Sequence, residues 1–161
     1  QRSLVGSEMC IRDRESMPGK KAIFVILDSD DTDCAELKKD LVEMYVKSGV
    51  TVDVYFCIAI EEMEAWLLGD EKAIEEAYPQ AKMPLLRKYV QDSIVGTWEY
   101  LADVVYSGGV NALKKKAESY YEIGLFKCEC AGNIGMYLNI HENKSPSFNY
   151  FINKLNDFCE V

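Results

Sequence analysis

Asp28, Asp30 and Asp31 crowd together behind one short apolar run, and Glu61, Glu62 and Glu64 crowd together behind a second. Carboxylates held this closely repel one another, and the repulsion is relieved either by raised pKa values or by a bound cation. Hard oxygen donors on loops suit Mg2+ or Mn2+, which commonly take one or two protein carboxylates and fill their remaining positions with water and phosphate oxygens. Asp28 and Asp30 are therefore candidate metal ligands. Glu62 and Glu64 are candidate catalytic residues that complete the metal shell or accept a proton, and they share one side only while the chain there is extended. Plainer readings stand beside these: Asp31 caps the next helix, and the glutamates form an acid-rich first helical turn favoured by the macrodipole.

A third candidate lies at Asn143-Lys144-Ser145-Pro146-Ser147-Phe148. Lys144, the Ser145 hydroxyl and the free N–H groups of a helix start offer a phosphate-binding site, although capping alone accounts for Ser145. No phosphate-cradling glycine loop with its lysine, dinucleotide fingerprint or nucleophilic-serine motif is present, so triphosphate hydrolysis and triad chemistry find no support.

The elements that must position these residues follow from local pattern. AIFVIL, bounded by Pro18-Gly19 and by aspartates, reads as a fully buried strand of a parallel sheet. A helix capped by Asp31 or Thr32 runs to about Ser48 and stops at Gly49, and a second strand spans roughly Val52 to Ile60. Strand, helix, strand with short connections makes a βαβ core, which places both acid clusters at the carboxyl ends of neighbouring parallel strands, where open α/β sheets bind ligands. The rest reads as mainly helical. Glu62–Leu68 ends at Gly69, Asp70 caps a helix from Glu71 to Tyr78, Thr97 caps Trp98–Tyr106, Val110–Tyr121 has helical spacing, and Ser145-Pro146 opens a last helix whose Phe148, Phe151, Ile152 and Leu155 form one apolar stripe.

With 161 residues and 48% hydrophobic content the chain suits one core. Its apolar runs are too short to span a membrane. Gln1 to Arg14 contain no apolar stretch of a signal peptide. Ser3 to Asp13 matches what a transposon-derived library adapter encodes, so residues 1–14 read as adapter-like and 15–161 as a single, incomplete α/β domain. The net charge of −9 becomes one unit more negative without that segment, which opposes stand-alone nucleic-acid binding and requires any nuclease to rely on metal, a local basic patch or a partner. Cys34, Cys57, Cys128, Cys130 and Cys159 have no framework spacing and read as free thiols in a reducing cytoplasm, and Cys128 and Cys130 as ordinary buried or strand cysteines rather than zinc ligands with His141.

The strings LDSDDTDCAELKKDL, IAIEEMEAWLLGD, GTWEYLADVVYSGG and NKSPSFNYFINKL resemble the bacterial domain-of-unknown-function family 4276, over nearly all of Ile23 to Leu155. That resemblance implies a TOPRIM-like (topoisomerase-primase) fold and a link with ATPase partners in phage defence. By the same resemblance the D-x-D pair falls on Asp28 and Asp30 and the E-x-E block on Glu62 and Glu64, while the glutamate after the first TOPRIM strand has no counterpart and belongs upstream of AIFVIL. The expected fold is a partial TOPRIM-like parallel sheet followed by a mainly helical C-terminal part. The expected function is a Mg2+- or Mn2+-dependent phosphodiesterase or nuclease component working with an ATPase partner. The alternative is a non-catalytic, partner-binding subunit.

Overall fold

The computed structural model describes residues 19–93 and 96–159; the adapter-like reading of residues 1–14 lies outside them. β1 (Ala22–Asp28) and β2 (Asp53–Ala59) pair in parallel, with Ala22 opposite Asp53 and Asp28 opposite Ala59. Between them runs α1 (Cys34–Ser48), which ends at Gly49 in the left-handed conformation that glycine adopts without a Cβ clash. The cap of α1 is Asp33, one or two residues beyond the expected Asp31 or Thr32: its carboxylate accepts from the N–H groups of Ala35 and Glu36 at 2.9 and 3.1 Å. Asp31 and Thr32 instead belong to the turn that leaves β1, where the Thr32 N–H donates to the Ser29 carbonyl.

The composition of β1 predicts full burial, yet the strand is half-buried and Ile26 is 44% exposed. Among the described residues β2 is its only strand partner, α8 covers it through Phe151 and Phe158 against Phe24, and α1 contributes no buried residue. The C-terminal half of β2, Cys57 to Ala59, is buried instead.

Beyond β2 the chain is helical: α2 (Glu64–Leu68), α3 (Glu71–Ala77), α4 (Met83–Leu86), α5 (Thr97–Val105), α6 (Gly109–Lys116), α7 (Tyr120–Gly135) and α8 (Pro146–Cys159). Asp70 caps α3 as expected, accepting from the Ala73 N–H at 3.0 Å, and its second oxygen accepts from the Asn139 N–H at 2.8 Å. The sequence reading merges α6 with the start of α7. The structure breaks them at Ala117 to Ser119, where the backbone is extended and the Glu122 carboxylate reaches back to the Glu118 N–H at 2.6 Å. Ser119-Tyr-Tyr-Glu122 has the spacing of a capping box, a start signal present in the sequence. Cys128 and Cys130 therefore sit on a helix rather than a strand, Cys128 exposed and Cys130 buried.

The main core lies among the helices and away from the sheet: Leu68, Ile74, Leu86, Leu101, Val104 and Ile134 pack together with Tyr89 of a connecting loop. A smaller cluster of Ala59, Trp66 and Phe148 ties α8 to the sheet, with Trp66 stacked on Phe151 at 5.5 Å and its Nε1–H donating to Ser147 Oγ at 2.9 Å. Of the predicted stripe of α8, Phe148 is buried in this cluster, Phe151 and Ile152 pack half-buried against it, and Leu155 is half-buried outside it. Among the described residues no helix is long and apolar enough to cross a membrane.

Candidate functional site

Parallel register brings the loops after β1 and β2 side by side, and their backbones interlock. Ser29 N–H donates to the Ala59 carbonyl at 3.0 Å, Asp30 N–H to the Glu61 carbonyl at 2.9 Å, and Glu61 N–H to the buried Ser29 Oγ at 2.7 Å. Asp30 (φ 47°) and Glu61 (φ 70°) both take left-handed backbone, a conformation costing a non-glycine residue about 1 kcal/mol or more unless its surroundings impose it. The crossed hydrogen bonds impose it here.

From this junction the three glutamates diverge. Glu61 Oε2 accepts the Thr97 N–H at 3.0 Å, and Glu62 Oε2 accepts the Trp98 N–H at 3.2 Å and the Thr97 hydroxyl at 3.3 Å. Thr97 is therefore the first residue of α5 rather than its cap: Gly96 takes the cap position without a side-chain bond, and two glutamates satisfy the orphan N–H groups at the positive end of the helix. Glu62 Oε1 lies 3.2 Å from Lys127 Nζ, and Glu64 Oε2 lies 3.3 Å from the same nitrogen. Glu62 and Glu64 converge although Glu62 precedes α2 and Glu64 begins it, because Lys127 of α7 reaches between them.

Asp28 joins this group from the end of β1. Burial raises its pKa above the usual carboxylate value, and the charges of Glu62 and Asp30 raise it further, while the Met63 N–H and the Lys127 charge oppose the rise. Glu64 is raised mainly by its own burial, with Lys127 opposing. Burial works against the Lys127 charge, yet Glu64 and Glu62 together outweigh it and hold the lysine above its ordinary value. Asp28 Oδ1 is buried without a hydrogen-bond partner, as is Glu61 Oε1.

Asp30 is exposed and faces elsewhere, into a cleft of about 490 Å3 lined also by Asp31, Asp33, Glu61 and Asp92. The D-x-D pair is thus divided between the lysine-bridged cluster and this open acidic cleft.

Ser145 and Lys144 also separate. Ser145 is fully buried and its Oγ caps α8, accepting the Phe148 N–H at 3.2 Å. The anion at that helix start is Asp92: its carboxylate accepts the Ser147 N–H at 3.0 Å and the Ser145 hydroxyl at 3.2 Å. Lys144 turns outward and pairs with Glu71. A phosphate would meet Asp92 at this place, so binding there requires the aspartate to move.

Lys127 and Asp92 are the two charged residues of the site that pattern reasoning passes over. Neither lies near a motif, and each reaches its partners only through the fold. The residues present fit a divalent ion in one respect and limit it in another. Their donors are hard oxygens and one buried Asp28 oxygen lacks a partner, but among the described residues no three His, Cys, Asp or Glu side chains converge closely enough to hold a metal between them. The arrangement suits Mg2+ or Mn2+ held by one or two carboxylates with water, and does not form a cage built wholly from protein.

No curated protein and no solved structure matches the chain. A family model described as "Domain of unknown function (DUF4276)" matches residues 7–156, which includes every element of the fold apart from the last residues of α8, and the chain belongs to that family.

Proposed function

We propose that this chain is a divalent-metal-dependent component acting on phosphodiesters, with Asp28 as its principal metal ligand. The observation that carries the proposal is the buried, unpartnered Asp28 Oδ1 at the carboxyl end of β1, beside a lysine already held by two carboxylates. A bound divalent ion would polarise the phosphate and activate water. Asp30 lines the neighbouring acidic cleft, so it would reach an ion on Asp28 only through a bound water. Lys127 exchanges one carboxylate for a phosphate oxygen, and Glu64, whose pKa burial raises, then accepts a proton more readily than an ordinary glutamate. The TOPRIM resemblance extends the proposal to a nuclease component working beside an ATPase partner in bacterial phage defence.

The alternative is a partner-binding subunit without catalysis. It is favoured by Lys127, which neutralises part of the acid cluster and leaves a fold that holds together without an ion. Calorimetric titration of Mn2+ into the wild type and Asp28→Asn separates the two, alongside cleavage assays on DNA and RNA with Mg2+. Binding that disappears in Asp28→Asn supports the metal reading; identical heats in both proteins sink it.

A further inference from the structure

Helix α7 carries three glycines, Gly124, Gly132 and Gly135, in 16 residues. Gly124 and Gly132 lie in the helix interior, where each costs about 0.5–1 kcal/mol against alanine, and Gly135 is the last residue of the helix. Among the described residues nothing explains them: a Cβ at any of the three would meet no atom within 4 Å. Gly132 and Gly135 are exposed on the side of α7 that faces away from the core residues Cys130 and Ile134, and half-buried Gly124 lies at its border. On the same side Tyr121, Leu125, Cys128, Gly132 and Met136 follow at spacings of four, three, four and four, a continuous stripe without a charge. Tyr121 is 74% exposed, Leu125 51% and Met136 77%, and neighbouring Tyr120 is 90% exposed. A helix that is apolar on both sides, and notched by glycine on the outer one, has the form of a helix against which another backbone lies closely.

We propose that this outer face of α7 is a self-association surface, on which a second copy of the chain packs with its α7 antiparallel. The stripe is complementary to itself. Its N-terminal half carries the bulky Tyr121 and Leu125 and its C-terminal half the notches Gly132 and Gly135. An antiparallel pair centred between Cys128 and Glu129 sets Leu125 into the second copy's Gly132 notch and lays Tyr121 against its Met136. Large aromatic side chains bury about 150–250 Å2 each, so Tyr121 with Leu125 and Met136 offers on the order of 400 Å2 per partner, which places the dimer among the small specific interfaces, below ~1,200 Å2 in total.

Sedimentation velocity of the 161-residue chain across the micromolar range tests this, with a short bis-maleimide cross-linker applied in a Cys10→Ser, Cys159→Ser background. The expected result is a dimer in which Cys128, near the two-fold axis, joins the two chains. Gly132→Leu is the discriminating variant. Its Cβ meets no atom of the described residues within 4 Å and the change removes a helix glycine, so the melting temperature stays level or rises while the dimer dissociates at least tenfold more readily; Leu125→Glu acts in the same direction. A wild type that stays monomeric, a dimer indifferent to both substitutions, or a dimer that does not cross-link through Cys128 overturns the proposal.

Discussion

Lys127 Nζ lies 3.3 Å from Glu64 Oε2, in a place where the glutamate side chain is only 7% exposed and the lysine 29%. The lysine shares itself with Glu62 at 3.2 Å, so one cation serves two carboxylates and leaves Asp28 Oδ1 without a hydrogen-bond partner.

Removing that cation should expose the repulsion it suppresses. Lys127→Met is expected to lower stability by about 1–3 kcal/mol, less than a fully buried pair would lose because the lysine is partly solvated. Adding Glu64→Gln should recover most of the loss. Urea denaturation of the single and double variants measures the coupling. If the double variant is as unstable as Lys127→Met alone, the carboxylate repulsion is not what the lysine relieves.

Asp30 is best tested as asparagine, which tolerates the left-handed backbone that alanine would strain. If Asp30 contributes to metal binding, Asp30→Asn weakens Mn2+ affinity about tenfold or more while the apo melting temperature holds or rises, since one of several like charges is gone. An unchanged Mn2+ isotherm would remove Asp30 from the metal site and leave it as an acid of the cleft.

At the start of α8, Asp92→Gly, which leaves the left-handed backbone of that residue (φ 56°) unstrained, should cost about 2 kcal/mol, because the Ser147 N–H and the Ser145 hydroxyl both lose an anionic acceptor. The same change opens the helix end to an external anion. Phosphate should then raise the melting temperature of the variant and leave the wild type nearly unmoved. Equal phosphate stabilisation of both proteins would show that Lys144 and Ser145 bind it with Asp92 in place.

Burial raises the Cys130 thiol from 9.0 to about 11, helped by the Glu129 and Glu64 charges and opposed by the Tyr78 hydroxyl that donates to its sulfur. The folded state therefore favours the protonated thiol. Its contribution to stability is fully present below pH 9 and is lost as pH rises through about 11. Cys130→Ala should lower stability at pH 8 through lost packing, yet flatten the decline between pH 9 and 11. Parallel stability curves for the two proteins across that window would refute the assignment.

Local signals in the sequence determined a good part of this structure. Gly49 stops α1, Asp70 caps α3, Ser145-Pro146 starts α8, and two β-branched runs separated by an amphipathic helix become parallel strands with acids at their carboxyl ends. Each depends on backbone conformation or periodicity over a few residues, which neighbours in sequence suffice to specify. Helix α7 escaped that reading because it is apolar toward both the core and solvent, so no single face stands out at helical period. What only tertiary structure decided is which charges meet. Lys127 comes to Glu62 from 65 residues away, and Asp92 to Ser147 from 55. Electrostatic partners are chosen by proximity in space within a shielded interior, and a sequence records the charges without recording the distances between them.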